Sequence, residues 1–142
     1  MNIQFSFQRK FSLSKRRGLK NFMKRLSKKE RVLFNEVQFV FCDDASILSI
    51  NQQFLQHNYY TDIITFNLSA PGQKAIDAEI YISVDTVRTN AALFHTSFKN
   101  EIHRVIFHGL LHLCGYNDKT LAQQKEMRAM EDYYLQLYFS NI

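Results

Sequence analysis

The chain of 142 residues contains two cysteines, one proline, four glycines and no tryptophan. Cys42 and Cys114 are too few and too far apart for a disulfide framework or a four-cysteine zinc site, and they read as reduced core thiols. The scarcity of Pro and Gly leaves Ser69–Lys74, with Pro71-Gly72, as the one marked loop signal. No repeat or low-complexity tract suggests a boundary, so a single domain over 1–142 is expected. Charged residues interrupt every apolar run near the N-terminus. Neither a signal-peptide core nor a span of about 20 apolar residues can form there, and a cytoplasmic protein is expected.

What is present is 46% hydrophobic, rich in Phe and Tyr, and sufficient for one ordinary core. The formal charge of +5 is unevenly spread. Eleven of the 18 Lys and Arg fall between residues 8 and 31 against one acid, Glu30, which leaves the remainder acidic. Such asymmetry fits a polyanionic partner, RNA above all, or else a plain solvated helix face. Leu19, Phe22, Met23 and Leu26 recur at helical spacing within Ser14–Lys29, with lysines and arginines on the other faces. Lys24, Arg25 and Lys28 are the candidate nucleic-acid contacts on this helix. Its narrow apolar stripe and lack of Trp anchors favour packing on a sheet over lying on a membrane.

Alternation at Ile3, Phe5 and Phe7, and the runs Val37–Phe41, Thr61–Phe66 and Ala78–Ser83, predict four strands. Asp43 or Asp44 caps a helix through Ile47, Leu48, Phe54 and Leu55. Three more helices are marked by Val84, Val87, Ala91 and Phe94, by Ile102 to Leu113, and by Met127, Met130, Tyr134 and Leu137. The expected class is α+β or α/β, a sheet of about four strands covered by helices.

The chemistry concentrates in His108-Gly-Leu-Leu-His112-Leu-Cys-Gly115-Tyr-Asn-Asp118. Histidines at i and i+4 share a helix face and can place two imidazole nitrogens on one zinc ion. The pair alone has an equally good structural explanation. The continuation adds Gly115, whose left-handed conformation would stop the helix and turn Asp118 back as a third, carboxylate ligand. His108, His112 and Asp118 are therefore the candidate ligands of one zinc or other divalent ion, with no other cofactor. Three protein ligands leave a position for an acidified water, so hydrolysis follows. His108 is also assigned to the catalytic centre. His103 points to the other side of the helix. Glu101 and Arg104 share the histidine stripe, either as supporting groups or as a surface ion pair. Gly109 stands where zinc proteases of the His-Glu-x2-His type carry their general base, which moves the expected substrate from peptide toward phosphodiester.

With Thr61–Phe66 and Ala78–Ser83, this segment resembles the YbeY family of rRNA-maturation endoribonucleases over about residues 36 to 135. The resemblance implies a zincin-like α+β fold with a metal-ligand helix in the C-terminal third. It also implies zinc and single-strand-specific cleavage of RNA, by hydrolysis or transesterification, in rRNA maturation and ribosome quality control. Ribosomal RNA and the small ribosomal subunit would be its partners. Asp118 replaces the family's third histidine. Leu55, read as core, stands where the family has a phosphate-binding Arg, with Arg88 or a cation of the N-terminal helix as a substitute. His57 reads as a loop histidine rather than a catalytic one. A non-catalytic assembly factor with a structural metal, or a metallohydrolase of another substrate, remains as an alternative.

Overall fold

The computed structural model describes residues 1–55 and 61–140. In chain order the elements are β1 (Asn2–Phe7), α1 (Arg16–Lys29), β2 (Phe34–Cys42), α2 (Asp44–Phe54), β3 (Ile63–Asn67), β4 (Ile76–Ser83), α3 (Val84–Leu93), α4 (Phe98–Leu113) and α5 (Leu121–Ser140). The four strands form one mixed sheet in the order β1-β2-β4-β3. β1, β2 and β4 run parallel, and β3 returns antiparallel beside β4. His57 lies outside the described residues. No described helix is long and apolar enough to cross a membrane.

The period-two pattern sorts the sheet into two unequal faces. Ile3, Val37, Phe39, Phe41, Ile80 and Ile82 join Leu19, Phe22, Met23 and Leu26 of α1 in the main core. Ile106, Phe107 and Leu110 of α4 and Tyr134 of α5 enter the same core. The opposite face carries a small cluster of Cys42, Ile47 and Ile64, over which α2 lies. Burial pushes the pKa of both thiols up to about 12, as unreactive core cysteines require.

α1 begins two residues later than its apolar periodicity indicates, because Lys15 takes a left-handed conformation and caps the helix without a side-chain hydrogen bond. Asp43 caps α2 by accepting from the Ser46 amide at 2.8 Å. That helix buries only Ile47 and Asn51. Leu55 is therefore not core but 40% exposed, and Phe54 is 66% exposed, its ring edge against Phe66. Both stand at the end of a helix that covers only the smaller sheet face.

α4 approaches the sheet at Gly109, where a Cβ would stand 2.9 Å from Ile63 Cδ1 and 3.1 Å from Ile80 Cγ2. The glycine in the histidine motif thus lets α4 lie close on β3 and β4.

Candidate active site

A cleft of about 410 Å³ opens between β3, the end of α3, α4 and α5, and its lining includes His108, His112 and Asp118. The two histidines come from one face of α4. The helix ends at Cys114, and Gly115 follows with φ +109°, a conformation that favours glycine. The turn carries Asp118 back until its Oδ2 lies 3.5 Å from His108 Nε2. The loop is held there by Gln124, whose side-chain amide donates to the Asp118 carbonyl at 3.1 Å. Gln123 Oε1 accepts from the Lys119 and Thr120 amides.

Both imidazoles are oriented through Nδ1. His108 Nδ1 donates to Glu131 Oε2 at 2.6 Å, and His112 Nδ1 donates to the Tyr116 carbonyl at 3.2 Å. A carbonyl or ionised carboxylate only accepts, so each Nδ1 carries a proton. In the neutral ring Nε2 then holds the lone pair. Such a donor set suits a divalent ion. Two donors each about 2.1 Å from a tetrahedral zinc stand roughly 3.4 Å apart, close to the His108–Asp118 separation. Among the described residues, however, no three His, Cys, Asp or Glu side chains are gathered into a metal-holding group. His112 shares the cleft without closing a trio.

Behind His108 stands a charge network that joins Glu101 and Arg104, expected on this stripe, to Glu131 and Asp132, which the sequence did not single out. Glu131 is 5% exposed and accepts from Arg104 Nη1 at 2.9 Å through its other oxygen, while Arg104 Nη2 reaches Asp132 at 2.6 Å. Arg104 Nε lies 4.0 Å from Glu101, itself buried. Glu101 and Arg104 are thus not a surface ion pair but part of the cleft wall, because α5 covers their side of α4. Glu131 falls on the buried stripe Met127, Tyr134, Leu135 and Tyr138. An acid within an apolar stripe was the available signal. Asp62, just before β3, also lines the cleft. Burial raises its pKa, against the opposing charge of His108. Burial alone would lower the pKa of His108, but the hydrogen bond and charge of Glu131, with Asp62 and Asp118, outweigh it and raise the value.

His103 faces away, as its position in the helix requires. It is buried against Tyr138 and Phe139, with Nδ1 donating to the Lys99 carbonyl at 2.7 Å and Nε2 without a partner among the described residues. Arg88 does not line the cleft, since its guanidinium lies 4.2 Å from the centre of the Phe98 ring. Lys24, Arg25 and Lys28 are exposed on α1 and stand outside the cleft. The C-terminus of α1 nevertheless touches the histidine turn. Glu30 accepts from the Tyr116 hydroxyl at 2.7 Å and from the Tyr134 hydroxyl.

Residues 3–138 match the family model described as Endoribonuclease YbeY. A curated protein of that name from Cytophaga hutchinsonii is 44% identical over 133 residues, covering 94% of this chain and 92% of that protein. Another from Parabacteroides distasonis is 43% identical over 118 residues, covering 83% of this chain and 82% of its own length. The solution structure of TM1509 from Thermotoga maritima superposes with a TM-score of 0.63 at 27% identity, covering 99% of this chain and 91% of that one. With nearly its whole length matched and the sheet, histidine helix and glycine turn in place, the chain belongs to the Endoribonuclease YbeY family.

Proposed function

We propose that this protein is a divalent-metal-dependent endoribonuclease that cuts single-stranded rRNA during maturation of the small ribosomal subunit in the cytoplasm. His108, His112 and Asp118 would hold zinc. The single observation that carries this reading is the convergence of His108 Nε2 and Asp118 Oδ2 to 3.5 Å in a cleft that His112 also lines. A divalent ion there would supply positive charge against the phosphoryl oxygens and lower the pKa of a water in the cleft.

The protein's own groups orient and select. Glu131 and the Tyr116 carbonyl fix the two rings with Nε2 directed away from their own hydrogen bonds. Four carboxylates, those of Asp62, Glu101, Asp118 and Glu131, line the cleft with only two guanidinium groups, which favours occupation by a cation. His108, placed between Glu131 and Asp118, is the residue assigned to catalysis. The exposed face of α1, with Lys24, Arg25 and Lys28, offers a separate surface for the RNA backbone. A peptide substrate is disfavoured because Gly109 abuts Ile63 and Ile80, where a glutamate base has no room.

The test is zinc-loaded protein incubated with rRNA precursor, free and in assembled particles. Cleavage above a His108→Ala/His112→Ala control is expected, and none above it would overturn the reading. Leu55 in place of the family's Arg supports a second reading, a non-catalytic assembly factor with a structural metal. A stable, metal-free variant that still assembles on ribosomes but leaves rRNA unprocessed would exclude that alternative.

A further inference from the structure

A cleft lined by four carboxylates needs an uncommitted cation if it is to meet a polyanion. Of the two arginines lining the cleft, Arg104 is committed, its side chain only 12% exposed and spread over Glu131, Asp132 and Glu101. Arg128 is not. Its side chain is 57% exposed, and its one ion pair among the described residues is a long 4.0 Å approach to Glu131. It lies one helical turn before Glu131 on α5, at the rim of the same cleft as His108 and Asp118.

The wall formed by the end of α3 carries an exposed aromatic group. Phe94 lines the cleft and is 55% exposed, although a phenyl ring that large is ordinarily covered. It sits at the C-cap of α3, followed by His95 in a left-handed conformation that ends the helix there. Asn90, one turn earlier, and Thr65 of β3 add hydrogen-bonding groups to the lining. An exposed aromatic face, an exposed guanidinium and neutral amide and hydroxyl groups around one cleft are what an unpaired nucleotide requires. The base stacks, its edge finds donors and acceptors, and its phosphate meets a fork of N–H groups. A base paired within a duplex has no free face to offer.

We infer that Phe94 and Arg128 form a nucleotide subsite of this cleft, Phe94 stacking an unpaired base and Arg128 binding a phosphate of the same strand. The inference deepens the nuclease reading and rests on it for the identity of the substrate. It makes selection of single strands a property of the cleft itself, and it places the phosphate-binding cation on α5.

The experiment uses the full-length, zinc-loaded protein and a short mixed-sequence RNA carrying 2-aminopurine, free and annealed to its complement. Stacking on Phe94 should change the probe's fluorescence in the single strand only. Phe94→Ala should abolish that change and weaken binding about tenfold, while Phe94→Tyr retains both. Arg128→Ala should weaken binding and lower the slope of log affinity against log salt by about 0.7, the share of one single-strand phosphate, with Arg128→Lys intermediate. In cleavage assays both alanine variants should raise KM more than they lower kcat. Both side chains are exposed, so thermal midpoints should stay near wild type.

Variants that bind RNA like wild type, while wild type binds and cuts it, would overturn the subsite and leave the nuclease reading standing. Variants that lose binding, in a protein that cuts nothing above the His108→Ala/His112→Ala control, would support the subsite and remove the nuclease. A wild-type protein that binds no RNA would remove both.

Discussion

Replacing Glu131 by Gln tests how the histidine pair is held. The carboxylate serves two partners at once, His108 Nδ1 at 2.6 Å and Arg104 Nη1 at 2.9 Å. Glutamine has the same shape but one acceptor oxygen. If that oxygen stays on Arg104, the amide NH2 faces His108 Nδ1, which must give up its proton. The tautomer inverts, and the Nε2 lone pair is lost. If the oxygen turns to His108, two donors confront each other at Arg104. A hydrogen bond to a charged group contributes about 1.5–3 kcal/mol, and breaking a buried ion pair costs about 3–5 kcal/mol. Because glutamine keeps one of the two contacts, a loss of about 2–3 kcal/mol is expected, or roughly 6–10 °C in Tm for a chain of this size.

Affinity for zinc, read by competition with a chromophoric chelator, should fall about 10- to 100-fold. The pH dependence has a definite sign. The folded-state pKa of His108 is raised above its ordinary 6.5, so the charged pair's stabilisation is full below 6.5. It disappears as pH rises through the raised value. In metal-free protein the deficit of Glu131→Gln should accordingly be larger at acid than at alkaline pH. Nitrogen NMR of the His108 ring reports the tautomer directly. An unchanged tautomer together with unchanged zinc affinity would refute the reasoning.

Gly109→Ala gains up to about 1 kcal/mol of helix propensity but sets a methyl against Ile63 and the stiff branch of Ile80, an overpacking worth about 1–3 kcal/mol. A net loss near 1 kcal/mol is expected, and a raised Tm would contradict the close approach of α4 to the sheet. Burial lowers the pKa of His103, more than its bond to the Lys99 carbonyl restores. Stability should therefore be unaffected above the ordinary value of 6.5 and fall as the solution is acidified below it, by at most about 1.4 kcal/mol per pH unit from this residue. His103→Phe should flatten that limb in urea titrations at pH 7.5 and 5.5, and an equally steep limb would be contrary. RNA affinity should fall steeply with salt, and reversing the charges of Lys24, Arg25 and Lys28 together should weaken it. Unaltered affinity would exclude α1 from the RNA surface.

The parts of this architecture governed by local periodicity were legible in the sequence. Alternation at Ile3, Phe5 and Phe7 marks a strand with one buried face, and the four-residue spacing of His108 and His112 places both on one side of α4. Gly115 marks the turn because few other residues accept its φ of +109°. What depended on distant partners was not legible. An acid on α5 reads as solvated until Arg104 and His108 are known to lie against it, and Asp62 reads as one polar residue before a strand. Leu55 erred in the other direction. It is apolar, but the unequal covering of the two sheet faces leaves it 40% exposed. Lys15 gave no capping signal, since it stands at the N-cap in a left-handed conformation without a side-chain hydrogen bond.

Tyr116 is clamped at both of its ends. Its carbonyl steadies the His112 ring, and its hydroxyl grips Glu30, 86 residues earlier in the chain. The eleven residues from 108 to 118 are therefore not a portable cassette. A fragment lacking the first thirty residues would retain every donor atom of that segment and lose the guy-rope that keeps one of its imidazoles aimed.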